Sequence, residues 1–139
     1  MAIEAKIENL AHEMAMEMNE ITFDTGSAYG HLKYVRQSQY IPFSRKKYIA
    51  MEEVKRTRTM YKLGADGSWI FMKSDEEQGG IEFYIDGQTG LVYKPQGPAP
   101  AKTHRYDITN PESFRQMIAN KKSNEHGWLY QDCVDVEVA

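Results

Sequence analysis

The sequence predicts an α+β domain: an N-terminal amphipathic helix packs on an antiparallel sheet of about five strands, and a short helix follows near the C-terminus. Three patterns lead to this prediction, namely an apolar stripe of helical period, two hairpin patterns, and a capped proline that opens the second helix. A length of 139 residues with 41% hydrophobic residues fits a single domain with an ordinary core. Within this single domain, 1-139, we expect a helical arm over 1–20, a mainly β region over 21–110, and a helix with a terminal strand over 111–139.

The N-terminal helix is predicted over residues 2–20. Its apolar residues recur at spacings of three and four, which places them on one stripe of a helix: Ile3, Ile7, Leu10, Met14 and Met18. The glutamates of the segment lie mostly off this stripe. Such a stripe forms either core or a dimer seam, so the sequence leaves open a homodimer through residues 2-20.

The segments that follow carry weaker patterns. An aromatic and β-branched run predicts a strand from Tyr29 to Ile41, and Pro42 is expected to interrupt its ladder. Residues 44–54 suit a short helix as well as an irregular strand. Because it is dense in proline, the segment 95–103 is predicted to be an extended loop.

Two hairpins are predicted in the middle of the chain. The first joins residues 56–63 to the apolar run 69–72 through a glycine-bearing turn, and a polar loop over 74–80 follows it. The second joins the alternating residues 81–85 to 91–93. Consecutive hairpins predict an antiparallel meander.

The C-terminal part begins with a helix start. Asn110-Pro111-Glu112 combines a cap, a first helical residue and an acid that the helix dipole favours. The helix is expected to run to about Asn120. A last strand is predicted over 128–138.

Composition argues against several kinds of site and location. Cys133 is the only cysteine, so an intrachain disulfide and a thiolate zinc site are excluded and a reducing compartment is favoured. No run approaches the roughly 20 apolar residues of a membrane span, and the first residues lack a signal-peptide pattern, so we expect no membrane association and a cytoplasmic location. The histidines lack ligand spacing, so we expect neither a metal site nor a cofactor: they are His12, His31, His104 and His126.

Charge is strongly segregated along the chain. Residues 1–30 carry a net charge of −5, residues 31–62 carry +7, and residues 63–139 carry −5. In the basic segment lysines and arginines alternate with tyrosines, and single-stranded nucleic acid needs both, cations for phosphates and rings for bases. The sequence therefore predicts a small non-enzymatic binding protein that contacts DNA or RNA, preferably single-stranded. The simpler interpretation is a solvated basic face that balances the acidic N-terminal helix.

The predicted nucleic-acid-binding residues come from this segment and from two later cations. They are Lys33, Tyr34, Arg36, Tyr40, Arg45, Lys46, Lys47, Tyr48, Lys55, Arg56, Arg58, Tyr61, Lys62, Lys102 and Arg105.

Two alternative functions stay open at this point. One is a protein–protein effector that binds or inhibits a host factor through the same basic patch or through the methionine-rich helix. The other follows from the apolar-Asp-Thr-Gly-Ser pattern around Asp24, which occurs in aspartic proteases; a homodimer would supply the second carboxylate. A turn in which Asp24 accepts hydrogen bonds from local amides explains the same residues without catalysis.

Several short sequence motifs between Lys46 and Tyr130 occur together in other proteins. They are Lys47-Tyr48, Thr89-Gly90, Val92-Tyr93-Lys94, Ala99-Pro100-Ala101-Lys102, Arg105-Tyr106-Asp107-Ile108 and Gly127-Trp128-Leu129-Tyr130. In these motifs the stretch from Lys46 to Tyr130 resembles a set of small uncharacterised bacteriophage proteins. Pro98 stands where that set carries a tryptophan, so no role of the tryptophan transfers. The resemblance implies a phage-encoded protein that acts in the cytoplasm of an infected bacterial host.

Overall fold

A computed structural model of the chain describes residues 2–27 and 29–123. Helix α1 spans Ala5–Asn19 and helix α2 spans Pro111–Ser123. The strands in chain order are β1 Thr22–Asp24, β2 Leu32–Arg45, β3 Tyr48–Leu63, β4 Trp69–Glu77, β5 Ile81–Asp86, β6 Leu91–Gln96 and β7 Ala99–Asp107. The predicted last strand over 128–138, with Cys133, lies outside the described residues, as does His126.

The strands form one antiparallel sheet around a central long strand. Their order is β1-β2-β3-β5-β6-β7, and β4 also pairs with β3. One edge of β3 pairs with β2 along almost its whole length. The other edge is divided, since its first part pairs with β5 and its second part pairs with β4. The α+β class is therefore confirmed, but the sheet has seven strands among the described residues instead of about five.

The structure decides one alternative that the sequence left open and contradicts two predictions about prolines. Residues 44–54 contain no helix, because β2 ends at Arg45 and β3 begins at Tyr48. Pro42 lies inside β2 and does not interrupt its pairing with β3. The proline is tolerated because β1 pairs only with Val35–Gln37, so β2 is an edge strand at Pro42.

The proline-rich segment is also strand rather than loop. Pro95 of β6 lies opposite Pro100 of β7, and the turn between the two strands lies at Gly97-Pro98. Strand β7 is the outer edge of the sheet, where a missing N–H breaks no ladder. The resulting hairpin adds the seventh strand of the sheet.

Both helices pack on the same face of the sheet. On this face Ile7, Met14 and Met18 of the α1 stripe are buried, and Ile3 and Leu10 are partly buried against them. Phe114, Met117 and Ile118 of α2 are buried as predicted. The sheet contributes to this core Tyr40, Ile49, Met51, Phe83, Ile85, Val92 and Tyr106. Because Ile7, Met14 and Met18 pack in the core of their own chain, a dimer seam formed by these side chains does not fit the structure.

A buried polar group joins α2 to the sheet. The Lys121 ammonium donates to Glu82 at 2.7 Å, and the Tyr40 hydroxyl donates to the other carboxylate oxygen at 3.0 Å. The same ammonium lies 4.9 Å from the centre of the Tyr40 ring. Burial raises the pKa of Tyr40, and the negative charge of Glu82 raises it further, so the phenol stays protonated.

Candidate functional site

The sheet has a second face on which no described helix packs, and the β6–β7 turn reaches its floor where the Tyr84 hydroxyl donates to the Pro98 carbonyl oxygen at 3.3 Å. Side chains alternate along a strand, so Ile49 and Met51 point toward the helices while Tyr48 and Ala50 point away from them. The helices cover only one side of β3, β5 and β6. We call the other side the open face.

Aromatic residues line up across the open face where five strands run side by side. The strand register places Phe43 of β2 opposite Ala50, Ala50 opposite Tyr84, Tyr84 opposite Tyr93, and Tyr93 opposite His104 of β7. We call Phe43, Tyr48, Tyr84, Tyr93 and His104 the aromatic row.

The rings of the row contact one another edge to face. The Tyr48 ring lies 6.0 Å from that of Tyr84 and 6.3 Å from that of Tyr93, and the Tyr93 ring lies 6.4 Å from His104. Tyr84 is buried and forms the floor, while Phe43 is exposed and Tyr48, Tyr93 and His104 are half-buried. The row therefore presents rigid rings with accessible edges and faces.

The phenol of Tyr93 is neutral over the ordinary pH range. Burial raises its pKa, and the nearby carboxylate of Asp86 adds to the increase. A neutral phenol can donate a hydrogen bond to a ligand and adds no negative charge to the face.

Cations gather at one end of the row, in the turn between β2 and β3. Lys46 adopts φ 54°, a left-handed conformation that a tight hairpin turn requires. The Lys47 ammonium lies 5.1 Å from the centre of the Tyr48 ring. Arg45 pairs with Glu52 at 3.4 Å, whereas Lys46 and Lys47 have no ion pair with any described residue. This end of the row is thus positively charged.

A second aromatic group lies on the open face of the part of the sheet that extends beyond the helices. We call this part, made of residues 32–39, 55–63 and 69–77, the outer sheet. The Lys33 ammonium lies 5.5 Å from the ring centre of Tyr61 and 5.1 Å from that of Trp69. At about 3.3 Å per residue along β3, this group is roughly 35 Å from the aromatic row.

The predicted binding residues do not form one surface. Those on the open face are Lys33, Arg45, Tyr48, Lys55 and Tyr61, with Lys46 and Lys47 in the adjoining turn. Those on the opposite side of the outer sheet are Tyr34, Arg36, Arg56, Arg58 and Lys62. The period of two separates neighbours in sequence onto different faces, and Arg58 illustrates this because its guanidinium stacks 4.0 Å from the centre of the Tyr34 ring.

Three of the predicted residues lie apart from both groups. Tyr40 is buried in the core and is not available to a surface ligand. Lys102 is exposed and Arg105 is half-buried on β7, with β5 and β6 between them and the basic segment.

The charge of the basic segment is balanced by a neighbouring strand. Residues 75–77, expected to be a solvated loop, end strand β4 and lie directly opposite β3. Lys55 pairs with Glu76 at 3.2 Å and Arg56 with Glu77 at 2.7 Å. The acids of α1 take other partners, since Glu17 pairs with Arg115 of α2. The balancing charge therefore comes mainly from β4 and not from the N-terminal helix.

Glu53 joins the outer sheet to the rest of the fold. One carboxylate oxygen accepts two hydrogen bonds from the Arg56 guanidinium, at 2.6 and 3.2 Å, and the other accepts one from the Ser38 hydroxyl. Burial alone raises the pKa of Glu53, but the donors from Arg56 and Ser38 outweigh it and hold that pKa below its usual range. The carboxylate is therefore charged in the folded protein.

This depressed pKa predicts a pH dependence. Glu53 contributes stability above its unfolded-state pKa of about 4.5, and that stability is lost as the pH falls through the lower folded-state value. We expect the unfolding free energy of the wild type to fall more steeply below about pH 4.5 than that of Glu53→Gln, which cannot titrate. Urea unfolding at a series of pH values measures this, and parallel curves for the two proteins would contradict it.

Asp24 is the last residue of β1, directly before the turn. Its carboxylate accepts a hydrogen bond from the Gly26 amide at 2.7 Å and pairs with Lys33 at 3.4 Å. The amide hydrogen bond, with Lys33 in addition, lowers the pKa of Asp24. These contacts are those of the turn expected as the non-catalytic explanation of the Asp-Thr-Gly-Ser pattern.

Of the residues in the aromatic row and the aromatic residues on the open face of the outer sheet, sequence reasoning included only Tyr48 and Tyr61. The residues that it did not include are Phe43, Trp69, Phe71, Tyr84, Tyr93 and His104. A usable signal was present, because in the predicted second hairpin Tyr84 and Tyr93 alternate with the core residues Phe83, Ile85 and Val92. The site was predicted from positive charge, and these rings carry none.

Among the described residues, no three His, Cys, Asp or Glu side chains are placed to hold a metal ion, and no helix is long and apolar enough to cross a bilayer. Comparison with protein-family models, with curated proteins and with solved structures finds no match. The function is therefore inferred from the geometry of the open face.

Proposed function

We propose that the protein binds single-stranded nucleic acid on the open face of its sheet, along the aromatic row. The observation that carries the proposal is that these rings lie on five adjacent strands and share one face of the sheet. Lys46 and Lys47, which form no ion pair with any described residue, lie at one end of the row. Bases stack on such rings irrespective of sequence, and lysines contact the phosphates between them. A duplex hides the faces of its bases, so the single-stranded form is favoured.

Each part of the row has a distinct role in this proposal. Tyr48 and Tyr93 offer ring surface to bases, and Tyr48 packs edge to face against both Tyr93 and the buried Tyr84. Lys46 and Lys47 supply positive charge at the β2–β3 turn. Lys102 is exposed on β7 at the other edge of the same sheet, so phosphates can be held on both sides of the rings.

This proposal changes the residues assigned to binding. Arg56 is engaged by Glu53 and Glu77, and Arg58 stacks on Tyr34 on the opposite side of the sheet. Neither residue can contact a ligand on the aromatic row. The tyrosines of the second hairpin take their place.

The test is a titration of labelled single-stranded DNA, RNA and duplex DNA followed by fluorescence anisotropy at several salt concentrations. Loss of one stacking ring costs about 1–3 kcal/mol per base, so Tyr93→Ala is expected to weaken single-strand binding about ten-fold. Lys46→Ala combined with Lys47→Ala is expected to reduce the salt slope by about one unit for each lost phosphate contact.

Arg58→Ala is the matched control, because it removes a cation from the opposite face and is expected to leave binding unchanged. Absence of binding at low salt would overturn the proposal and leave the host-protein alternative as the next hypothesis. Equal losses in Arg58→Ala and Tyr93→Ala would show that binding does not use the aromatic row.

A further inference from the structure

Large apolar side chains are exposed at the far end of the outer sheet. Phe71 is 59% exposed and Leu63 is also exposed, whereas the exposed Ile70 lies opposite Lys62 on the other side of the sheet. On the open face Leu63 lies opposite Trp69, and Phe71 lies opposite Tyr61. Clusters of this kind on a protein surface mark interaction sites.

The outer sheet also lacks the support that the rest of the sheet receives. It consists mainly of three strands, β2, β3 and β4, with the short β1 beside β2, and α1 reaches it where Gln37 donates a hydrogen bond to the Asn19 carbonyl oxygen at 2.9 Å. The packing of α1 and α2 ends at the core around Met51 and Phe83. A small sheet with an apolar face is stabilised by covering that face.

The charges on the open face of the outer sheet are balanced, which suits a second copy of the same face as its partner. On its open face, Lys33 pairs with Asp24 and Lys55 pairs with Glu76. Between these pairs the side chains are uncharged, and Thr59 and Ser74 are hydrogen-bonded to each other at 3.1 Å. A face without excess charge provides no net electrostatic attraction for phosphates or for a strongly charged protein. Two identical copies of it meet without like-charge repulsion.

We propose that the open face of the outer sheet binds the same face of a second copy of the chain. The contact is isologous, so Phe71 and Leu63 of each copy pack against the apolar end or the Thr59 region of the other. Two sheets packed face to face lie about 10 Å apart with their side chains interdigitated. The aromatic row, roughly 35 Å away along β3, stays uncovered in each copy.

The size of the surface sets the strength of the dimer. Three strands of about nine residues give a face of about 30 by 14 Å, on the order of 400 Å² per copy. The two copies together bury about 800 Å², which is less than the roughly 1,200 Å² of the smallest stable interfaces, so we expect a weak, reversible dimer in the high micromolar range rather than an obligate one.

Sedimentation velocity from low micromolar to about 0.5 mM covers this range and tests the proposal. The wild-type mass is expected to rise from the 16.0 kDa of the monomer toward twice that value. Phe71→Lys is expected to keep the protein monomeric, because each copy would place a charge against the other. Phe71 is largely exposed, so folding is retained and circular dichroism checks it.

Phe43→Lys is the matched control, since it places the same charge on the open face at the aromatic row. This variant is expected to dimerise as the wild type does. A mass of 16.0 kDa at every concentration would overturn the proposal and leave the patch for a different partner. A dimer that survives Phe71→Lys, or that only Phe43→Lys disrupts, would equally overturn it.

Discussion

Replacing Lys121 with alanine is expected to destabilise the fold by about 3 kcal/mol, the cost of removing one partner from a buried ion pair. The Lys121 side chain is enclosed between α2 and the sheet, with its ammonium on the Glu82 carboxylate at 2.7 Å. Without it, Glu82 keeps the Tyr40 hydroxyl but loses its positive partner in a poorly solvated place. The end of α2 also loses one of its polar attachments to the sheet, while the hydrogen bond from Asn120 to the Tyr106 hydroxyl remains.

Urea unfolding at neutral pH measures the effect of this change. Lys122→Ala is the control on the same helix, because Lys122 is exposed and its removal is expected to change stability by less than about 0.5 kcal/mol. Similar midpoints for the two variants would show that the Lys121–Glu82 pair contributes little. A large loss in both would indicate that the positive charge in the last turn of α2, and not the ion pair, dominates.

Gly79→Ala is expected to destabilise the protein by about 2 kcal/mol through overpacking. A Cβ atom at this position would lie 2.8 Å from the Glu53 carbonyl oxygen and closer still to the carboxylate oxygen that binds Arg56. To make room, the Glu53 side chain has to leave Arg56 or the backbone has to move. Either response weakens the connection between the outer sheet and the core.

The adjacent glycine provides a close control for this prediction. A Cβ atom at Gly80 would have no heavy atom within 4 Å, so Gly80→Ala is expected to keep nearly wild-type stability. Thermal unfolding of both variants separates a local clash from a general effect of glycine replacement. If Gly79→Ala and Gly80→Ala unfold at the same temperature, the clash at Glu53 is relieved without loss of stability.

The sequence predicted the helices well because their signals are local. The period of α1 is visible in its apolar residues, and α2 begins at Pro111 as expected. The Asn110 side chain accepts hydrogen bonds from the Glu112 amide at 2.9 Å and the Ser113 amide at 3.2 Å. Both β-hairpins in the middle of the chain were also predicted, because alternation and turn residues mark them.

The candidate site was harder to predict because it depends on pairing between distant segments. The acidic run 75–77 neutralises Lys55 and Arg56 only because β4 lies beside β3. Register shifts near Gln39 and Met60 decide which side of the sheet the later residues face. Neither effect has a signal in composition or charge, so the basic segment was predicted to be one surface when the structure divides it between two.

The continuity of β3 has a consequence for how the molecule opens. One strand of 16 residues belongs at its start to the helix-covered core and at its end to the outer sheet. Its backbone amides therefore sample two environments without any break in the chain: those near Met51 exchange with solvent only when the whole domain unfolds, whereas those near Tyr61 can exchange through local opening. Protection of the backbone amides from hydrogen exchange therefore decreases along β3 from Met51 to Tyr61. A ligand that orders the outer sheet is expected to raise the protection near Tyr61 toward that near Met51.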